Sequence, residues 1–215
     1  MKRLIQIRSL SKHYGRRTIL DRISLDVPQG SCVGILGENG CGKSTMLSIL
    51  AGTLRRDEGE FFCGGEDLFQ NRRFHAKTVG YVPQMDNLRL WYPDRRQINY
   101  ELENGVLGML GIREFLKVPV SKMSGGMKKR LSIGCAVAHQ PEILLLDEPS
   151  AALDLICKER IASYLLEFKR RGGTVLLTTH DIQELPICDS LYILKNGKLN
   201  YYKYDGNYHH LVGKL

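Results

Sequence analysis

The chain has 215 residues, of which 43% are hydrophobic and 25% charged, enough for one globular domain with a substantial core and room for an inserted lobe. No apolar run approaches the ~20 residues that cross a bilayer. The Met1-Lys2-Arg3 start also lacks the apolar stretch of a secretory signal, so a chain retained in the cytosol is expected. The net charge of +8 admits nucleic acid or anionic lipid as a partner. However, the basic pairs, from Arg16-Arg17 to Arg170-Arg171, are spread along the whole chain with no aromatic-rich RNA signature, and they read chiefly as solvated faces.

Taken in chain order, residues 3–8 and 18–27 alternate like short β-strands, with "HYGRR" as the turn between them. "CVGIL" at 32–36 is a compact apolar run ending at a glycine, suited to a buried parallel strand. "KSTMLSILAGTL" then has helical spacing. From about 85 to 139 the texture becomes helical with glycine breaks, which predicts an inserted lobe. "EILLLDEP" at 142–149 is a second buried strand ending in acids, and "LDLICKERIASYLLEFKRRG" an amphipathic helix closed by glycine. "TVLLTTH" is a third buried strand, "DIQELPIC" a short helix, and "SLYILKNGKLNYYK" a hairpin turning at Asn196-Gly197. Buried strands alternating with helices predict an α/β fold with a mainly parallel sheet and an antiparallel patch from the N-terminal strands. The six cysteines have no metal-ligand spacing, so reduced and mostly buried thiols are expected, except Cys41 in a glycine-rich loop.

That loop carries the chemistry. "GENGCGKST" (Gly37, Glu38, Asn39, Gly40, Cys41, Gly42, Lys43, Ser44, Thr45) fits the phosphate-loop pattern G-x-x-x-x-G-K-[ST]. Its glycines let successive N–H groups point at phosphate oxygens, and the helix that follows directs its positive end at them. Lys43 can reach the outer phosphates and Ser44 can hold Mg²⁺. In "ILLLDEP", Asp147 stands at a strand's carboxyl end, placed to meet Mg²⁺ through water. Glu148 is placed to polarise an attacking water. Taken alone, Tyr14 is an ordinary turn tyrosine, Gln84 loop chemistry after a proline, and His180 a strand-end residue.

The ordered set Tyr14, "GENGCGKST", "YVPQ", "MSGGMKKR", "ILLLDEP", "SAALD" and "LTTH" resembles the nucleotide-binding subunits of ATP-binding cassette (ABC) transporters over essentially the whole chain. The resemblance implies a P-loop catalytic lobe at 1–84 and 140–215, with a helical signature lobe at 85–139. It implies ATP as the nucleotide and Mg²⁺ held by Ser44, Gln84 and Asp147. It makes Glu148, His180, Gln84 and Lys43 the catalytic group, and Tyr14 the aromatic on which adenine stacks. Ser124, Gly125 and Gly126 then read the γ-phosphate of ATP held in a second copy, and Ser150 to Asp154 crosses to that partner.

An ATP clasped on one side leaves its transferring oxygens partly solvated, and a second helix start completes the shell and excludes water. The partners implied are a separate transmembrane permease and a second ATPase subunit in a homodimer, with no nucleic acid, at the cytoplasmic face of the membrane. Met127 replaces the family's usual glutamine, which removes a polar amide but leaves the serine and glycine amides in place. The coupling surface toward the permease is expected near Gln84 to Tyr92. There Trp91 and Tyr92 read equally as a partner anchor or as lobe core. Import and export both stay open, and the lack of a long C-terminal regulatory extension leans toward an exporter-like or efflux-type cassette. The competing class is a soluble ABC-type ATPase acting on nucleic acid or the ribosome, which the net charge keeps open.

Overall fold

The computed structural model describes residues 4–84, 95–151 and 153–215. Strands β1 (Leu4–Tyr14) and β2 (Arg17–Pro28) form an antiparallel hairpin. The hairpin is longer than its alternation predicts, since His13, Tyr14 and Arg17 all pair and only Gly15 and Arg16 are left to turn. β3 (Cys32–Leu36) is buried throughout and feeds through the glycine-rich loop into α1 (Lys43–Leu50). β4 (Glu58–Cys63), β5 (Glu66–Asp67), α2 (Arg72–Thr78) and β6 (Val79–Val82) follow, none of them marked by a firm periodic signal in the sequence.

The helical stretch comprises α3 (Arg95–Asn104), α4 (Val106–Met109), two 3₁₀ turns (Ile112–Phe115 and Val120–Lys122) and α5 (Gly125–Val137). β7 (Ile143–Asp147), α6 (Leu155–Arg170) and β8 (Thr174–Thr178) match their expected places. The short helix after His180 is a 3₁₀ segment, Ile182–Ile187, with Pro186 inside it. β9 (Ser190–Lys195) and β10 (Lys198–Tyr202) form the terminal hairpin, followed by α7 (Tyr208–Val212). Asn196 and Gly197 turn that hairpin with φ of 51° and 74°, as a tight turn of this hand requires. Trp91 and Tyr92 lie outside the described residues.

The strands form two sheets, an antiparallel one in the order β2-β1-β4-β5 and a larger one in the order β10-β9-β3-β8-β7-β6. In the larger sheet every pairing from β9 to β6 is parallel and only the β10 edge is antiparallel. Side chains of successive strand residues point to opposite faces, and β7 divides its apolar residues accordingly. Ile143 and Leu145 enter a core with Met46, Leu47, Ile49 and Leu50 of α1 and Phe61 of the antiparallel sheet. Leu144 and Leu146 enter a second core with Leu110, Phe115 and Ile133 of the helical stretch and Ile161 and Leu165 of α6. Burying such side chains contributes about 1.5–3 kcal/mol each, so both faces of the sheet hold their covering layers firmly. Among the described residues no helix is long and apolar enough to cross a membrane.

Candidate active site

Four neighbouring parallel strands end on the same edge of the larger sheet, and each delivers part of the site. β3 leads into the phosphate loop, β8 into Thr178 to His180, β7 into Asp147 and Glu148, and β6 into Pro83 and Gln84. Ligands of open α/β sheets sit at this carboxyl edge.

In the loop, Gly42 caps α1 at φ 113°, and a Cβ there would come within 2.8 Å of Ile19 Cγ2 on β2. A Cβ on Gly37 would lie 2.5 Å from the Leu194 carbonyl and 2.7 Å from Cys41 Sγ. Both positions therefore need glycine for backbone reasons, and the β2 hairpin and β9 close in around the loop. Lys43 is buried, and its Nζ donates to the carbonyls of Gly37 at 2.7 Å and Glu38 at 3.0 Å. The ammonium is thus held inside the curve of the loop. Ser44 and Thr45 follow in the first turn of α1, with Ser44 exposed.

The acids stand next to one another but in different surroundings. Asp147 is buried, and one of its oxygens accepts the Thr178 hydroxyl at 2.6 Å. Glu148 follows in the left-handed region at φ 47°, a conformation that costs a non-glycine residue energy and is held here by neighbours. Its N–H is fixed by the carbonyl and the hydroxyl of Thr178, each at 3.1 Å. This kink turns the Glu148 side chain toward Gln84, whose Nε2 donates to Oε2 at 2.9 Å. His180 Nε2 lies 3.1 Å from Oε1. Three residues that were separate readings in the sequence therefore meet at one carboxylate.

Tyr14 stands half-exposed at the tip of the first hairpin, with Lys12 Nζ 5.4 Å from its ring centre. Ser124 caps α5, its hydroxyl oxygen accepting the Met127 N–H at 3.3 Å. Gly125 has open space around its Cβ position, while a Cβ on Gly126 would meet Cys157 Sγ at 2.9 Å. Met127 packs against the core shared with α6, so its side chain serves the helical stretch rather than the exposed helix start. The segment expected to cross to a partner ends at Asp154, which caps α6 by accepting the Cys157 N–H at 2.8 Å. That hydrogen bond holds the Asp154 carboxyl below its usual range.

Three features at this edge were not read from the sequence. Thr178 orients both acids. Lys129 is buried under Gln84 and Asp147, its Nζ donating to the Pro83 carbonyl at 2.9 Å. Glu184, in the 3₁₀ segment after His180, is buried, and the Thr179 and Ser150 hydroxyls near its carboxyl make no hydrogen bond of good geometry with it. Burial raises its carboxyl above the usual range against the opposing pull of the Thr179 and Ser150 hydroxyls. A cleft of about 320 Å³ opens beside it, and Lys158 pairs with Asp181 at 2.5 Å on its rim. All six cysteines are free thiols, with Cys32 and Cys188 sulfurs 3.8 Å apart.

A phosphate loop at the carboxyl edge of a parallel sheet, with a buried aspartate and a glutamate at the same edge two strands along, defines the P-loop class of nucleotide-binding folds. The family model for the ABC transporter matches residues 20–151, and the chain belongs to that family. It is 33% identical over 208 residues to the Nod factor export ATP-binding protein I of Sinorhizobium fredii, covering 90% of this chain and 61% of that relative's length. It is 31% identical over 215 residues to the linearmycin resistance ATP-binding protein LnrL of Bacillus subtilis, covering 91% of this chain and 68% of that protein.

Among solved structures, a dimeric post-hydrolysis ATP-binding cassette bound to ADP and Pi superposes with a TM-score of 0.82 at 25% identity. The match covers 93% of this chain and 98% of that one. A nucleotide-free cassette from an ABC transporter matches in fold with a TM-score of 0.81 at 22% identity, covering 98% of this chain and 95% of that one.

Proposed function

We propose that the chain binds and hydrolyses ATP to power a membrane transporter, working as a pair in which each site is completed by the partner's Ser124, Gly125 and Gly126. The carrying observation is the Glu148 carboxylate held between Gln84 and His180, at the end of β7, one strand (β8) removed from the strand that feeds the phosphate loop. The loop N–H groups and Lys43 bind the phosphates, and Tyr14 offers an exposed ring to adenine. Glu148 accepts the proton of the attacking water, while Gln84 and His180 hold it in place. The exposed, capped start of α5 supplies the second set of donors from the other subunit, which excludes water and steadies the developing charge. ATP thereby joins two subunits and hydrolysis separates them, giving the transporter its mechanical stroke.

The donor set also fits Mg²⁺. Ser44 presents an exposed hydroxyl in the first turn of α1, and Asp147 keeps one oxygen clear of Thr178 for a coordinated water. Phosphate, hydroxyl and water oxygens are the hard ligands this ion takes at nucleotide sites. We assign it to Ser44, Asp147 and Gln84, where the bound ion would neutralise charge between the outer phosphates.

In this reading residues 85–139 act as a helical signature lobe against a catalytic lobe of 1–84 and 140–215. The subunit sits peripherally at the cytoplasmic face, joined to a separate permease, with the coupling surface running from Gln84 into residues 85–92. The relatives named for Nod factor export and linearmycin resistance support the transporter assignment. The test is co-expression with a multi-helix membrane protein taken from a neighbouring reading frame, followed by purification and an ATPase assay. The expected result is a stable complex whose hydrolysis rate exceeds that of the isolated chain. Full activity in a soluble assembly that binds RNA at moderate salt would instead favour the nucleic-acid class.

A further inference from the structure

Lys129 lies in the basic stretch after the signature glycines, where the sequence offers nothing to separate it from its solvated neighbours. Its side chain is buried, at 5% exposure, on the inner side of α5. Burying an ammonium is costly unless its donors are satisfied. Here Nζ donates to Pro83 O at 2.9 Å and also lies within hydrogen-bond reach of Gln84 O and Asp147 O, both at 3.4 Å. These carbonyls sit at the carboxyl ends of β6 and β7, neighbouring parallel strands in which Val82 pairs with Leu146. One ammonium therefore spans the two backbone segments that carry Gln84, Asp147 and Glu148.

We propose that Lys129 is a positioning residue that locks the start of the signature helix to both catalytic segments of its own subunit. The inference rests on the ATPase reading above. Ser124 and Lys129 are five residues apart on one helix, about 7.5 Å along its axis at 1.5 Å per residue. A rigid helix of that length moves as a unit. When the start of α5 is drawn onto a phosphate held by the partner, the Lys129 end carries the Gln84 carbonyl with it. The Gln84 side chain then shifts on Glu148. Each subunit thus senses the partner's nucleotide through one buried cation. A purely structural role would ask only for an unbranched side chain of this length, which methionine supplies. The coupling role needs the ammonium.

The experiment uses the full chain with the variants K129M, Q84A and Q84A/K129M, measuring ATP hydrolysis and thermal unfolding of each. K129M is expected to lower kcat about tenfold or more while leaving KM for ATP within about threefold, because the phosphate loop is untouched. If Lys129 acts through the Gln84 segment, the double variant should match Q84A alone to within about twofold, a non-additive cycle. Losses that multiply, or a K129M variant with the wild-type kcat, would overturn the proposal.

Should K129M fail to fold, K129R takes its place in the same cycle. Its guanidinium keeps the charge but displaces the donors, so kcat falls with Gln84 present and is unchanged in the Q84A background. Wild-type kcat in K129R beside an unfolded K129M would make the ammonium a stabilising group alone and overturn the coupling. A wild-type chain without any ATPase activity would sink the functional assignment itself, whereas active wild type with multiplying losses would sink only the role of Lys129.

Discussion

Gln84 and His180, on opposite sides of the acidic strand, each hold a different oxygen of the Glu148 carboxylate, at 2.9 and 3.1 Å. The left-handed backbone of Glu148 makes this possible, because the turn at φ 47° swings the side chain off the line of β7 while Thr178 grips its N–H. Replacing Glu148 by glutamine keeps the shape and removes the base. Turnover of the E148Q variant is expected to fall about 10²-fold or more, the usual weight of a positioned general base. ATP should still bind, so the variant should elute as a nucleotide-bound dimer in size-exclusion chromatography. Rapid turnover in E148Q would remove Glu148 from the chemistry.

Lys43 makes a separate contribution. Its ammonium is placed by the Gly37 and Glu38 carbonyls inside the loop, and charge-assisted hydrogen bonds to phosphate are worth about 1.5–3 kcal/mol each. K43A should therefore weaken ATP binding about 10- to 100-fold, at 1.4 kcal/mol for each factor of ten. Titration with a fluorescent ATP analogue measures this directly. An unchanged affinity would place the phosphates elsewhere.

Sites shared between copies allow a mixing test. A chain with S124R blocks its partner's site, and a chain with K43A blocks its own. Each homodimer should be inactive. In the mixed dimer, one site joins the intact Lys43 of the first chain to the intact Ser124 of the second. Equal mixing after dissociation should restore about a quarter of wild-type sites, as two-fold symmetry requires. Mixtures as inactive as their parents would mean that each chain completes its own site.

Much of this arrangement was legible because its residues are contiguous. β3, β7 and β8 are unbroken apolar runs that only a strand covered on both faces explains, and the phosphate loop follows the first of them directly. β4 was not legible: "EGEFFC" is interrupted by Gly59 at φ 107°, and it is a strand because Cys63, Phe62 and Phe61 pair with Ile5, Gln6 and Ile7 far earlier in the chain. Gln84 and His180 could be named only by family resemblance, since their common partner is brought to them by the sheet. Thr178 and Lys129 were missed for the same reason. Thr178 meets Asp147 31 residues away and Lys129 meets Pro83 46 residues away, and nothing local marks either side chain as more than a strand end or a surface charge.

Cys41 gives a chemical probe of the loop. Its side chain is half-buried against the core that holds α1, close to where a Gly37 Cβ would stand. A bulky maleimide on this sulfur would occupy the space that a phosphate chain needs. Alkylation should abolish ATP binding, and prior ATP should slow the reaction in the wild type while leaving the C41S control unlabelled at this position. Mass spectrometry of the loop peptide reads both. Labelling that is indifferent to ATP would place the sulfur away from the nucleotide.

The buried Glu184 sets a pH dependence whose sign can be worked out. Burial raises its carboxyl above the ordinary 4.5 of an exposed glutamate, outweighing the opposing pull of the Thr179 and Ser150 hydroxyls. Between the unfolded and the raised folded pKa the folded chain holds the proton more tightly than the unfolded one. Stability from this group is therefore full below the unfolded value, declines as pH rises through the window, and is replaced by a standing penalty above it. Glutamine has nearly the same shape and no charge to bury. The E184Q variant should melt at a higher temperature than the wild type at pH 7.5, and the gap should close as pH falls toward 4.5. The neighbouring Asp181 and Lys158 act on Glu184 with opposite signs, the aspartate raising its carboxyl and the lysine lowering it. A melting difference that is constant with pH would show that Glu184 is already neutral or already paired throughout that range.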